Sequence, residues 1–249
     1  MNPKLLFDNV LSRGTLTVTS SHPDYPVKNI LNGRRYLWWK SNDTPTTDQQ
    51  IMIECDTAEP VDYVLIDGHN LAGASITLYS GTGSGPTYTP EHYIPAVPDN
   101  KPIYFTIPEK TRVFWMIGIE PLIAPALANV QIGKSFELPG RIGGTFDPLG
   151  RKFKGQKNVN ENGQALGSAL LQEIWEGKVL IEDVPQEWLR SDWLPAWRTS
   201  MRDKPLALVW NSDIYPDEVS IATLNGSFNA KHQMGRVSKL EFTATGVYR

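Results

Sequence analysis

Between 16 and about 138 the apolar residues come in short runs, several alternating with polar ones, and Gly, Pro, Asn or Asp separates each run from the next. In Ile51-Met52-Ile53-Glu54-Cys55 the odd positions face one way, the period of a half-buried strand. No helical period competes with this pattern, so it predicts strands over 50–55, 63–67, 75–79, 103–107, 113–120 and 129–132. Turn chemistry falls between them at Asn32-Gly33, Asp67-Gly68, 81–86 and Pro98-Asp99-Asn100. Strands this short and this regularly spaced predict a sandwich or jelly roll.

The pattern changes after 138. Pro139-Gly140-Arg141-Ile142-Gly143-Gly144 reads as a linker and predicts two domains, 1–138 and 139–249. Asn160, Asn162, Gly163 and Gly167 lie among small and apolar residues over 158–171, which predicts a hairpin or an extended arm that 173–182 continues as sheet. Asp183, Pro185 and Glu187 then precede Leu189, Trp193, Leu194 and Trp197 at helical spacing. One amphipathic helix over about 185–202 is expected, with Pro195 placed to break it in two. Strands follow at 206–210, 219–228 and 237–248, and the fold class is mainly β.

Composition narrows the function. With 249 residues, two ordinary cores are affordable. A net charge of -3 with both signs mixed gives no basic surface for nucleic acid, and the apolar run around 113–119 is too short for a membrane span. The start, Met1-Asn2-Pro3-Lys4-Leu5-Leu6-Phe7-Asp8, lacks a signal-peptide apolar stretch, and Cys55 is the single cysteine, so cytoplasmic synthesis and stability without an internal disulfide are expected. The many large aromatics suit sandwich cores and subunit interfaces alike.

The order Ser20-Ser21-His22-Pro23, Val27-Lys28-Asn29-Ile30-Leu31-Asn32-Gly33, Trp38-Trp39-Lys40-Ser41 and Gln50-Ile51-Met52-Ile53-Glu54-Cys55-Asp56 resembles the opening of discoidin (coagulation factor 5/8 type C) domains. The stretch Val61-Asp62-Tyr63-Val64-Leu65-Ile66-Asp67-Gly68-His69-Asn70-Leu71 looks like that family's next strand, particularly in bacteriophage tail proteins. The resemblance covers about half of the chain and implies a jelly-roll sandwich whose loops at one end bind glycans, lipids or proteins. By that resemblance Tyr36 and Trp38, flanked by Arg34, Arg35 and Lys40, could form a contact surface; plain loop packing is the alternative. Asn32 stands where the family more often has Asp, which weakens any calcium site. Gly33 can supply a positive-φ turn, and Trp39 is better placed to fill the core than to meet a ligand.

The segments Lys204-Pro205-Leu206-Ala207-Leu208-Val209-Trp210 and Leu240-Glu241-Phe242-Thr243-Ala244-Thr245-Gly246-Val247-Tyr248-Arg249, with one helix between strands, resemble the tail-tube-like fold of distal tail and baseplate proteins of long-tailed phages. That implies a structural virion protein of the tail tip, partnered with tail-tube and baseplate proteins and with itself as a ring homo-oligomer, a hexamer by the same resemblance. An open sheet leaves edges that another copy can complete. Ordinary surface hairpins remain the alternative for the 155–167 arm.

No catalytic pattern emerges, and no enzyme, cofactor or metal is expected. His22, His69, His92 and His232 lack metal-ligand spacing, no Gly-x-Ser-x-Gly elbow occurs, and the 81–85 loop precedes neither Lys-Ser/Thr nor a helix. Asp24, Asp43 and Asp48 read as solvated loop acids rather than a calcium loop. Three functions follow from different classes: the phage tail-tip component, a carbohydrate-binding adhesin contacting host surface glycan through Arg34, Tyr36 and Trp38, and a glycoside hydrolase, which would need a carboxylate pair in a deep groove.

Overall fold

The computed structural model describes residues 2–42, 47–82, 88–143, 146–150, 152–162, 164–202, 204–211, 213–215, 218–232 and 235–247. Of the positions singled out above, Met1, Asp43, residues 83–86, Gly144, Gly163 and residues 248–249 lie outside them. The protein is mainly β, in two compact units: Asp8–Ser135, and Met1–Phe7 together with Phe136–Arg249. Among the described residues no helix is long and apolar enough to cross a membrane.

After β1 (Lys4–Leu6), which belongs to the second unit, come β2 (Gly14–Val18), β3 (Trp39–Lys40), β4 (Gln49–His69), β5 (Ser75–Gly81), β6 (Thr89–Ile94), β7 (Ile103–Glu120) and β8 (Ala126–Gly133). Two pairs of expected strands have fused. The runs 50–55 and 63–67 are one strand, β4, and 103–107 and 113–120 are one strand, β7. Each carries a proline midway, Pro60 and Pro108, within polar residues that separate the apolar runs and made them read as four.

The β4·β7 ribbon folds back on itself. Residues 49–54 pair with 119–114, flanked by β2 and β5, whereas 63–66 pair with 106–103, flanked by β8. Between these stretches the register shifts twice, at Glu54/Glu59 and Val61/Tyr63. An irregularity of this kind moves the inward face from one parity to the other. Ile51, Ile53 and Cys55 therefore share one core with Val64 and Ile66, together with Trp39, Trp115, Ile117 and Ile119. Two hydrophobic faces on one core make a jelly-roll β-sandwich whose strands cross from sheet to sheet at a bend.

This folding positions the loops. Both tips of the folded ribbon come to the same end of the sandwich, and so do the connections 19–48, 70–74, 95–102 and 121–125. Hydrogen bonds lace them together: Ser41 N–H to the Pro125 carbonyl (3.0 Å), Asn70 Nδ2 to the Ala124 carbonyl (3.0 Å), Ala72 N–H to Asn100 Oδ1 (3.0 Å) and Gly73 N–H to the Val97 carbonyl (2.7 Å).

The second unit holds β9 (Phe136–Glu137), β10 (Arg141–Ile142), β11 (Lys152–Val159), β12 (Ala165–Pro185), β13 (Pro205–Val209), β14 (Val219–His232) and β15 (Val237–Val247). Its sheet runs β10-β12-β15-β14-β13-β1-β9, with β11 beside β12. The first residues of the chain, expected in the sandwich, form β1 here, antiparallel to both β13 and β9, with Leu5 in this unit's core. The short strand Lys4-Leu5-Leu6 is completed by strands far away in sequence, which no local pattern reveals.

The expected arm is a hairpin of β11 and β12. From Ile174 onward β12 pairs with β15, whereas 165–173 pair, among the described residues, only with β11. The expected helix covers 186–201. Pro195 does not break it. Turns on either side are widened, Leu194 N–H reaching the Leu189 carbonyl and Arg202 N–H the Trp197 carbonyl, which accommodates a residue without an N–H. Trp193, Trp197 and Met201, four residues apart, are buried with Trp175, Leu206, Leu240 and Phe242.

Candidate functional site

The loop between β2 and β4 is pinned at two apolar points, Ile30 and Trp39, both fully buried. Ile30 lies on a single turn of helix, Val27–Leu31, which is followed by Gly33 at φ +64°, the positive-φ turn expected of Asn32-Gly33. Asn29 Nδ2 donates to the Trp38 carbonyl (2.8 Å), tying the start of this segment to its end. Trp39 donates from its indole to the Ser20 carbonyl (3.2 Å), a core role that agrees with the reading of its sequence context. Below, the buried Gln49 accepts from Ser20 Oγ (2.9 Å) and donates to the Thr47 carbonyl (3.1 Å).

Arg35 anchors the middle of the segment. Its Nε donates to Asp67 Oδ2 at 2.7 Å and its Nη2 to Asp67 Oδ1, while the Asp67 side chain keeps 1% of its exposure. A bidentate fork of this kind fixes direction as well as charge. The expected Asp67-Gly68 turn is instead a kink inside β4. Gly68 adopts φ +63° and an added Cβ would lie 2.9 Å from the Ala128 Cβ, so the backbone needs glycine there.

One residue further, His69 accepts from the Leu71 N–H at Nδ1 (3.2 Å) and donates from Nε2 to the Lys101 carbonyl (2.6 Å). Burial lowers its pKa and keeps the ring neutral, so His69 clips two loops together. His92 stacks on Phe105 at 4.2 Å, and His22 accepts from the Asp24 N–H at 3.2 Å. Among the described residues no group of three or more His, Cys, Asp or Glu is placed to hold a metal. Asp24 and Asp48 are exposed.

This scaffold presents several exposed aromatic, aliphatic and cationic side chains. Tyr36 is 70% exposed, and Arg34 Nη1 donates to its hydroxyl at 3.1 Å. Trp38 is half-buried in the same loop, its backbone held by Asn29. Arg34 and Tyr36 are therefore in contact, and among the described residues no hydrogen bond joins Trp38 to either. The 121–125 connection adds Leu122 and Ile123, 66% and 53% exposed; Leu122 lies over Gly73, 2.5 Å from where a Cβ would stand. Tyr25 carries the Lys40 ammonium 4.2 Å above its ring and the His22 ring 5.3 Å away. Sequence reasoning missed Leu122, Ile123 and Tyr25. The signal for the first two was an apolar Leu-Ile pair between Pro121 and Pro125, where a loop would ordinarily be polar.

No protein-family model and no curated protein matches the chain. Solved structures do. Chitosan-binding module 1 of a chitosanase/glucanase from Paenibacillus sp. IK-5 is similar at 16% identity and TM-score 0.45, over 51% of this chain and 98% of that one. The family 32 carbohydrate-binding module of Clostridium perfringens NanJ, in complex with galactose, is similar at 15% identity and TM-score 0.43, over 51% and 97%. A Ruminococcus gnavus GH29 fucosidase in complex with fucose is similar at 15% identity and TM-score 0.44, over 51% of this chain and 26% of the enzyme.

Proposed function

We propose that the sandwich is a carbohydrate-binding module that takes a saccharide at its loop end, by binding and not by turnover. The observation that carries this reading is Tyr36, an aromatic ring 70% exposed whose hydroxyl is held by Arg34 on a loop pinned from below. An exposed ring offers a face to the C–H side of a sugar, and the guanidinium and hydroxyl beside it supply directed hydrogen bonds. Holding them on a buried ion pair and two core residues lowers the ordering cost of binding. A glycan array probed with the full chain tests this. Retention of a defined set of saccharides by wild type, lost in Tyr36→Ala and weakened in Trp38→Ala, is the expected result; a blank array overturns it.

A second reading concerns the other unit: a component of a bacteriophage tail tip, a distal tail or baseplate protein that assembles as a ring and carries the sandwich as an attachment. It is favoured by the β11–β12 hairpin, whose outer stretch pairs only with itself among the described residues and leaves backbone groups for a neighbouring copy. Light scattering of the full chain and mass spectrometry of isolated tails test it. A monomer absent from particles overturns it.

A further inference from the structure

The segment 26–40, which shapes the loop end, contains Lys28, Arg34, Arg35 and Lys40 and no acidic residue. Their surroundings differ. Arg35 is neutralised by the buried Asp67, and Lys40 lies over the Tyr25 ring. Arg34 is exposed and, among the described residues, has no carboxylate partner; the bond it donates is to the Tyr36 hydroxyl. With that oxygen accepting, the Tyr36 O–H hydrogen is left to donate outward. The Trp38 indole N–H, a donor only, has no protein partner among the described residues either. What Arg34 and Tyr36 hold open at this exposed position is therefore a set of donors, the remaining guanidinium N–H groups and a phenol O–H, with the Trp38 indole N–H a further donor in the same loop.

Neutral sugar hydroxyls donate as well as accept and do not need such a set. An acceptor-only group does, and a carboxylate or phosphate ester bound by a guanidinium gains from charge as well. We propose that the saccharide taken here is anionic, its carboxylate or phosphate ester meeting Arg34 while its apolar face lies on Tyr36; this rests on the saccharide-binding reading above. Arg35 holds the backbone of the same segment and takes no part in contacting the ligand.

The test is calorimetric titration of the full chain with trigalacturonic acid, with its methyl ester of the same shape and no charge, and with a disaccharide ending in mannose 6-phosphate. An acidic probe binding about tenfold or more tighter than the ester, with a gap that shrinks between 0.05 and 0.5 M salt, supports the proposal. In Arg34→Gln that gap should close, and in Arg34→Lys part of it should remain; whichever acid binds better identifies the acceptor as carboxylate or phosphate. An ester that binds as tightly as the acids, or a gap unchanged in Arg34→Gln, overturns the anionic ligand and leaves saccharide binding standing. Binding of none of the three, together with a blank glycan array, overturns both.

Discussion

Replacing Arg35 with alanine tests how the loop end is held. The Asp67 side chain keeps 1% of its exposure and Arg35 26%, and both carboxylate oxygens accept from the guanidinium. The substitution leaves a carboxylate inside the sheet with its counter-charge removed. Breaking a buried pair in this way costs about 3–5 kcal/mol. Since water already reaches the arginine side of the pair, the lower figure applies, about 3 kcal/mol, a large share of the roughly 5–15 kcal/mol that holds a typical domain together. Two units in one chain make a single global transition the wrong readout. Hydrogen exchange of the β4 and β8 amides isolates the sandwich instead, and a loss of that size accelerates exchange on the order of a hundredfold. The double variant Arg35→Met with Asp67→Leu, which removes both charges and keeps volume, should recover most of it. Unchanged exchange in Arg35→Ala, or a double variant as unstable as the single one, would refute the argument.

Gly68→Ala should destabilise the sandwich by about 1–2 kcal/mol from its left-handed backbone alone, and more from the 2.9 Å approach to the Ala128 Cβ, read as a lower urea midpoint of its transition. His69 has a folded-state pKa below the ordinary 6.5, so the unfolded chain binds the extra proton first: the stability it contributes is complete above pH 6.5 and is lost as pH falls toward the depressed value. The midpoint of the sandwich's own unfolding transition should therefore drop more between pH 8 and pH 5 in wild type than in His69→Gln, and equal slopes would count against the buried neutral ring. Cys55 is buried, and that burial, with Glu59 nearby, pushes its thiol up to about 11. Ellman's reagent at pH 8 should leave it unmodified until denaturant is added, and rapid reaction in the native chain would contradict its place in the core.

Much of the site scaffold was legible in the sequence because it depends on neighbours along the chain. Asn32-Gly33 makes its own turn, Trp39 is a large apolar residue whose sequence context favours the core, and Arg34 and Tyr36 stand out as cationic and aromatic residues in a turn-rich stretch. The role of Arg35 was not legible, since its partner Asp67 is a strand residue 32 positions away. Neither was that of Leu122 and Ile123, which reach the loop end only because β7 and β8 finish and begin there.

By itself the sequence determined the mainly β class, the amphipathic helix and the identity of the aromatic and cationic residues, all of which follow from local period, turn chemistry and burial preference. Tertiary structure alone decided that four apolar runs are two long strands, that these fold back between the register shifts at Glu54/Glu59 and Val61/Tyr63 to bring four connections to one end, and that Lys4–Leu6 completes the other unit's sheet. Strand pairing joins residues that no short window contains, and its register is chosen by which apolar faces can share a core.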